Sequence, residues 1–186
     1  MTIIAAYDGG DKYWIASDSM GSGGGVMYEL GSKLIVKGNY IVGFSWSYRV
    51  ADMIRESKDL PYALSSIRDL RIIRDVVKDA LTKDGLVGSN NNDHDAGRHK
   101  PDGHPLDLIL ISPSGIYTLE TDYQIHKISD GYLACGSGTE IAMGSLYTCK
   151  ALDINGKDAV KLAVRAANKH ITTCGGRCHI KSVEKK

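Results

Sequence analysis

An α+β fold, with sheets packed beneath helices that lie outside them, is what this sequence predicts, and three observations carry the prediction. Strand-like segments come in runs, four before the first helix and several after the second, rather than alternating one for one with helices. Residues 106–111 (Leu-Asp-Leu-Ile-Leu-Ile) are almost wholly apolar, as a strand covered on both faces is. There are 21 Gly against 4 Pro, which favours tight turns over stiff linkers.

Taken in order, residues 2–6 form a short apolar run, Gly9 and Gly10 turn the chain, and residues 12–18 return as a second strand, giving a hairpin at the N-terminus. Residues 21–25, all Gly and Ser, read as a flexible stretch. Residues 33–36 and 40–44 are strands joined by the turn Lys37-Gly38-Asn39. A first helix follows, its apolar face built from Val50, Ala51, Met53, Ile54 and Leu60. The second spans about residues 65–82, with Ile67, Leu70, Ile73, Val77 and Leu81 at helical spacing and Ser65 or Ser66 capping its start. Residues 85–105 are polar and turn-rich and read as an exposed loop inserted into one domain of 186 residues. Beyond it come strands at 106–111, 116–119, 124–128 and 132–135, then a helix after Gly136-Ser137-Gly138. Another helix follows Gly156, with Ala159, Leu162, Ala163, Ala166 and Ala167 facing inward. A strand pair around residues 174–183 closes the order.

The formal net charge of +1 argues against a general nucleic-acid or anionic-membrane binder, since such partners are met with a basic excess. No apolar run approaches the roughly 18 residues of a membrane span. The first residues lack the basic and long apolar segments of a secretory signal, so a cytoplasmic protein is expected. Cys135, Cys149, Cys174 and Cys178 are then reduced thiols. Two clusters invite a metal reading: Cys174, Cys178 and His179, and His94, His99 and His104 with Asp93 and Asp95. Neither has a standard ligand spacing, so no metal or cofactor is expected.

Chemistry concentrates at the N-terminus. A threonine hydroxyl needs a base to attack a carbonyl at neutral pH. Removal of Met1 would give Thr2 a free α-amine, with a pKa of about 7.7–8.0, suited to take the hydroxyl proton. Hairpin pairing brings Asp18, at the end of the second strand, close to the start of the first. A lysine beside the amine lowers the amine's pKa by like-charge repulsion, and Lys33 is the candidate. Once buried, that lysine requires an anion, which Asp18 can supply.

Five segments in order carry a resemblance. They are Thr2-Ile3-Ile4-Ala5-Ala6 with Ile15-Ala16-Ser17-Asp18; Gly31-Ser32-Lys33-Leu34; Ile41-Val42-Gly43-Phe44 with Ala51-Asp52; Ala134-Cys135-Gly136-Ser137-Gly138; and Cys174-Gly175-Gly176. Together they resemble the proteasome β-subunit and HslV-type peptidase family of N-terminal-nucleophile (Ntn) hydrolases, over nearly the whole chain outside residues 85–105. The resemblance implies a four-layer αββα sandwich, two antiparallel sheets between helix layers. It implies Thr2 as nucleophile with its amine as base, Asp18 and Lys33 tuning that amine, and Ser137 hydrogen-bonding near the amine and the catalytic water. The backbone N–H of Trp46 or Ser47 would stabilise the oxyanion. Unfolded polypeptides would be the substrate, self-assembly into rings would enclose the sites, and an ATP-dependent unfoldase would be a separate chain, because no GxxxxGK[ST] loop is present. With no long propeptide before Thr2, the arrangement resembles the HslV type.

The chain departs from that family at three places. Trp46-Ser47 stand where glycine is usual. One residue is missing between Asp18 and Lys33. The acid usual three residues before the Ser-Gly-Gly segment is replaced by Ile171, beside His170, which is a candidate substitute. Two other readings therefore stand beside the peptidase: a catalytically silent structural subunit that keeps Met1, and a small-molecule Ntn amidase. Sequence alone also leads one to expect that Lys33→Ala causes a severe loss of rate with little change in fold.

Overall fold

The computed structural model describes residues 2–23, 26–45, 48–83, 107–120 and 123–186. The loop expected at residues 85–105 lies outside them. Two main sheets are antiparallel throughout. One has the order β10-β1-β2-β11, with β1 at Ile3–Asp8, β2 at Lys12–Ser17, β10 at Tyr132–Gly136 and β11 at His179–Glu184. The other runs β5-β6-β7-β8-β9, from Leu34–Lys37 and Tyr40–Ser45 through Asp107–Ser112 and Gly115–Leu119 to Ile125–Lys127. Helices α1 (Tyr48–Glu56) and α2 (Ile67–Lys83) cover the five-stranded sheet, and α3 (Thr139–Ala151) and α4 (Gly156–His170) cover the four-stranded one. The result is the four-layer αββα sandwich. Among the described residues no helix is long and apolar enough to cross a membrane.

The period-2 rule of a strand explains why the central strands are apolar on both faces. In β1, Ile3, Ala5 and Tyr7 pack on α3 and α4, while Ile4 and Ala6 meet the opposite sheet. In β7, Leu108 and Leu110 face the α1–α2 layer and Ile109 and Ile111 lie between the sheets. The sheets come close at Gly43, where an added Cβ would sit 2.6 Å from Ile4 Cγ2. At α2, Ser66 and Asp69 cap reciprocally: Asp69 Oδ2 accepts from Ser66 N at 2.8 Å, and Asp69 N donates back to Ser66 Oγ at 3.4 Å. Hydrogen bonds to its carboxyl, from Ser65 N first and then from the Ser66 hydroxyl and amide and the Ser65 hydroxyl, hold Asp69 below its ordinary pKa.

Four expectations are corrected. Residues 21–23 of the Gly/Ser stretch are strand in a two-stranded ribbon, β3 (Met20–Gly23) with β4 (Val26–Glu29), while residues 24 and 25 lie outside the described ones. Leu60 lies beyond the end of α1, although it still packs in the α1–α2 core. The inner face of α4 carries Val160 and Val164 with Ala159, Ala163 and Ala167, whereas Leu162 is exposed and Ala166 only partly buried. Of the expected last strand pair, only β11 is a strand. The segment before it is held through one carbonyl, Gly175 O, which accepts from both Ser19 N and Met20 N.

Candidate active site

The site lies where the start of β1, the end of β2 and the start of β5 meet, so it bridges the two sheets. Ile4 pairs with Ser17, and Asp18 N donates to Ile3 O at 3.2 Å. This register sets Asp18 beside the residue that follows Thr2. Lys33 comes from the other sheet, fixed by its own carbonyl, which accepts from Phe44 N at 3.2 Å.

Thr2, Asp18 and Lys33 are 3%, 0% and 1% exposed. Burial of this kind requires that every charge be satisfied. Asp18 Oδ1 accepts from Lys33 Nζ at 2.5 Å and from Ile3 N at 3.2 Å, and its Oδ2 accepts from Gly175 N at 3.1 Å. Lys33 Nζ also donates to Met20 O at 2.6 Å. Burial pulls the Lys33 pKa below the ordinary lysine value, and the Asp18 carboxylate opposes that shift. The carboxylate therefore binds three chain segments at once, one of them adjacent to Thr2.

Ser137 sits in the turn from β10 into α3. Its Oγ donates to Thr2 O at 3.3 Å, receives a hydrogen bond from Thr173 Oγ1 at 3.0 Å and lies 3.4 Å from Cys174 Sγ. Burial raises the Cys174 thiol pKa, the first of several causes, so the thiol stays protonated at neutral pH. Gly136 makes this closeness attainable. Its φ is +102°, and an added Cβ would stand 2.3 Å from the Thr2 carbonyl oxygen. We expect Gly136→Ala to destabilise the fold by more than about 1 kcal/mol, from φ strain together with the displaced Thr2 carbonyl. A urea midpoint equal to that of the native chain would contradict this.

The structure thus brings Thr2, Asp18, Lys33 and Ser137 into one cluster. Trp46, Ser47 and Met1 lie outside the described residues. His170, the candidate replacement for the missing acid, is exposed at the end of α4, in a groove between α3 and α4 with Leu152 and Leu162. Ile171 instead packs against the core beneath those helices. The residue on Ser137 is Thr173, which sequence reading passed over. Its one signal was its place directly before Cys174-Gly175-Gly176. The backbone of that motif also closes on the site: Gly175 O accepts from Ser19 N and Met20 N at 3.2 and 3.1 Å, and Arg177 N donates to Ser19 Oγ at 2.7 Å. Among the described residues no group of three or more His, Cys, Asp or Glu is placed to hold a metal. His94, His99, His104, Asp93 and Asp95 are not among them.

No family model matches the chain. A curated relative, the proteasome subunit beta of Nanoarchaeum equitans (strain Kin4-M), is 30% identical over 176 residues, covering 92% of this chain and 85% of that protein. Among solved structures, BPH of Thiobacillus denitrificans superimposes with a TM-score of 0.78 at 18% identity, over 99% of this chain and 98% of that one. The same protein in complex with epoxomicin gives 0.79, also at 18% identity, over 99% of both chains. HslV from Trypanosoma brucei gives 0.65 at 17% identity, over 98% of this chain and 99% of that one.

Proposed function

The chain belongs to the proteasome β-subunit family, and from that premise we propose that it is a threonine-type peptidase of unfolded polypeptides, acting through Thr2 once Met1 is removed. The observation that carries this reading is the buried Asp18–Lys33 pair, whose carboxylate also holds the amide of Ile3 beside Thr2. A cation in that place disfavours a second positive charge nearby, so the liberated amine is held neutral and basic. The amine takes the proton of Thr2 Oγ1 as that oxygen attacks the peptide carbonyl, and the backbone N–H of Trp46 or Ser47 meets the oxyanion. The same proton then passes to the leaving amine, and water hydrolyses the acyl-threonine ester.

In this reading the chain works as one domain in a self-assembled ring in the cytoplasm. The ring encloses the sites, and a separate ATP-dependent unfoldase feeds them. The test combines intact mass with hydrolysis of an unfolded protein such as casein. Loss of Met1 with casein cleavage is the expected result. Complete retention of Met1 with no cleavage would overturn it and favour a silent structural subunit, the alternative to which the apolar packing of Ile171 lends weight.

A pH dependence follows from the cation. Burial depresses the folded-state pKa of Lys33 from the ordinary 10.5. Between the folded and unfolded values the folded state binds fewer protons, so charged Lys33 costs stability at neutral pH and that cost falls away as pH rises. Catalysis reads the same cation through the amine: Lys33 lowers the amine's pKa, so the acidic limb of kcat should fall below the roughly 7.7–8.0 of a free α-amine. An acidic limb at or above that value would argue against Lys33 as the tuning cation.

A further inference from the structure

We infer that Thr173 is a positioning residue for the nucleophile: its hydroxyl orients Ser137, and Ser137 pins Thr2 by its carbonyl. The inference rests on the peptidase reading and names a residue which that reading does not include. Its starting point is that trimming Met1 makes Thr2 the end of the chain. Terminal residues fray unless something ties them down. A nucleophile must nevertheless be held closely, because small misplacements of reacting groups cost large factors in rate.

The hydrogen bonds on Ser137 show how the tie is directed. A serine hydroxyl has one proton and two lone pairs. Thr173 Oγ1 donates to one lone pair at 3.0 Å, while the Ser137 proton goes to Thr2 O at 3.3 Å. Cys174 Sγ, at 3.4 Å, is the competing partner, able to give its own proton or to draw that of Ser137. With Thr173 donating, Ser137 oxygen is already served and its proton stays on the Thr2 carbonyl. Without Thr173, the Ser137 rotor is free to turn towards the sulfur and release Thr2. Thr173 is only partly buried, whereas the competing Cys174 is buried.

Thr173→Val keeps the shape of the side chain and removes the hydroxyl, and Thr173→Ser restores it. Both are made in the full-length, Met1-trimmed, assembled protein. Cleavage of unfolded casein and of a short peptide amide gives kcat and KM, and thermal unfolding gives Tm. The expected result is a roughly five- to ten-fold fall in kcat for Thr173→Val, the worth of one neutral hydrogen bond, with KM and Tm unchanged. Thr173→Ser recovers most of the rate. In a Ser137→Ala background the valine substitution produces no further loss, because the effect passes through Ser137. A Thr173→Val enzyme with native kcat overturns the inference and leaves the peptidase reading standing. A parallel fall of kcat and Tm in both variants also overturns it, in favour of a purely structural role. A native chain that is trimmed and assembled yet cleaves neither substrate overturns both.

Discussion

Thr2→Ala is expected to abolish peptide hydrolysis while the chain still folds and assembles. The loss in kcat should be on the order of 10⁴–10⁶-fold, the scale seen when the nucleophile of a coupled catalytic group is removed. Little of the fold depends on the side chain. The contacts that secure this position are made by backbone: Thr2 O to Ser137 Oγ, and Ile3 N to Asp18 Oδ1. Alanine keeps both. Stability should fall by no more than about 1 kcal/mol, typical of a small buried truncation. Casein hydrolysis together with sedimentation or light scattering checks the two halves of the prediction. Undiminished cleavage by the alanine variant would remove Thr2 from the mechanism.

Lys33→Ala should be severe in a second way. Sequence reading led to an expectation of lost rate with little change in fold. The structure alters the second half of that expectation, because Lys33 and Asp18 are both buried and 2.5 Å apart. Removing the ammonium leaves the Asp18 carboxylate without its counter-charge in a low-dielectric site, a change that costs about 3–5 kcal/mol when one member of a buried pair is deleted, and relief from burying the Lys33 charge returns part of that cost. Two amide donors, Ile3 N and Gly175 N, remain on Asp18 and offset part of this. Activity should be lost even where enough folded protein survives to assay. An Asp18→Leu, Lys33→Met double variant separates the two effects. It should regain much of the stability, since a well-packed apolar pair can match a buried ion pair, and none of the activity. Chemical denaturation and casein cleavage give both readings. Equal stability for Lys33→Ala and the native chain would show that the pair is solvated in solution.

The parts of the fold that sequence made legible are those dictated by local chemistry. The β1–β2 hairpin announces itself by two apolar runs around Gly9-Gly10. β7 reads as a strand covered on both faces because nothing in it alternates. Helix α2 shows its face through Leu70, Ile73, Val77 and Leu81, all buried. Legibility ended where side chains were too small to reveal a side, or where contacts ran between remote segments. The ribbon β3–β4 has no apolar alternation in its glycine-rich half. Helix α4 is so rich in alanine that Leu162 looked like an inner residue, when Val160 and Val164 fill that role. At the site, Thr2, Asp18 and Lys33 were readable as chemistry, and their burial was not. Thr173 escaped because its importance lies in a bond to a residue 36 positions away. Spacing along the chain carries no sign of such a bond.

The reach of Asp18 has a consequence for when this protein acquires its reactive centre. Its three donors come from residues 3, 33 and 175, so the last is made long after the first two. A polypeptide halted before residue 173 already contains Thr2, Asp18, Lys33 and Ser137, yet it lacks the clasp over the carboxylate and the hydroxyl of Thr173. The centre thus ripens only after residue 175 has been made, when most of the surrounding layers have had the opportunity to form. A ribosome-bound fragment carries the nucleophile without the framework that aims it.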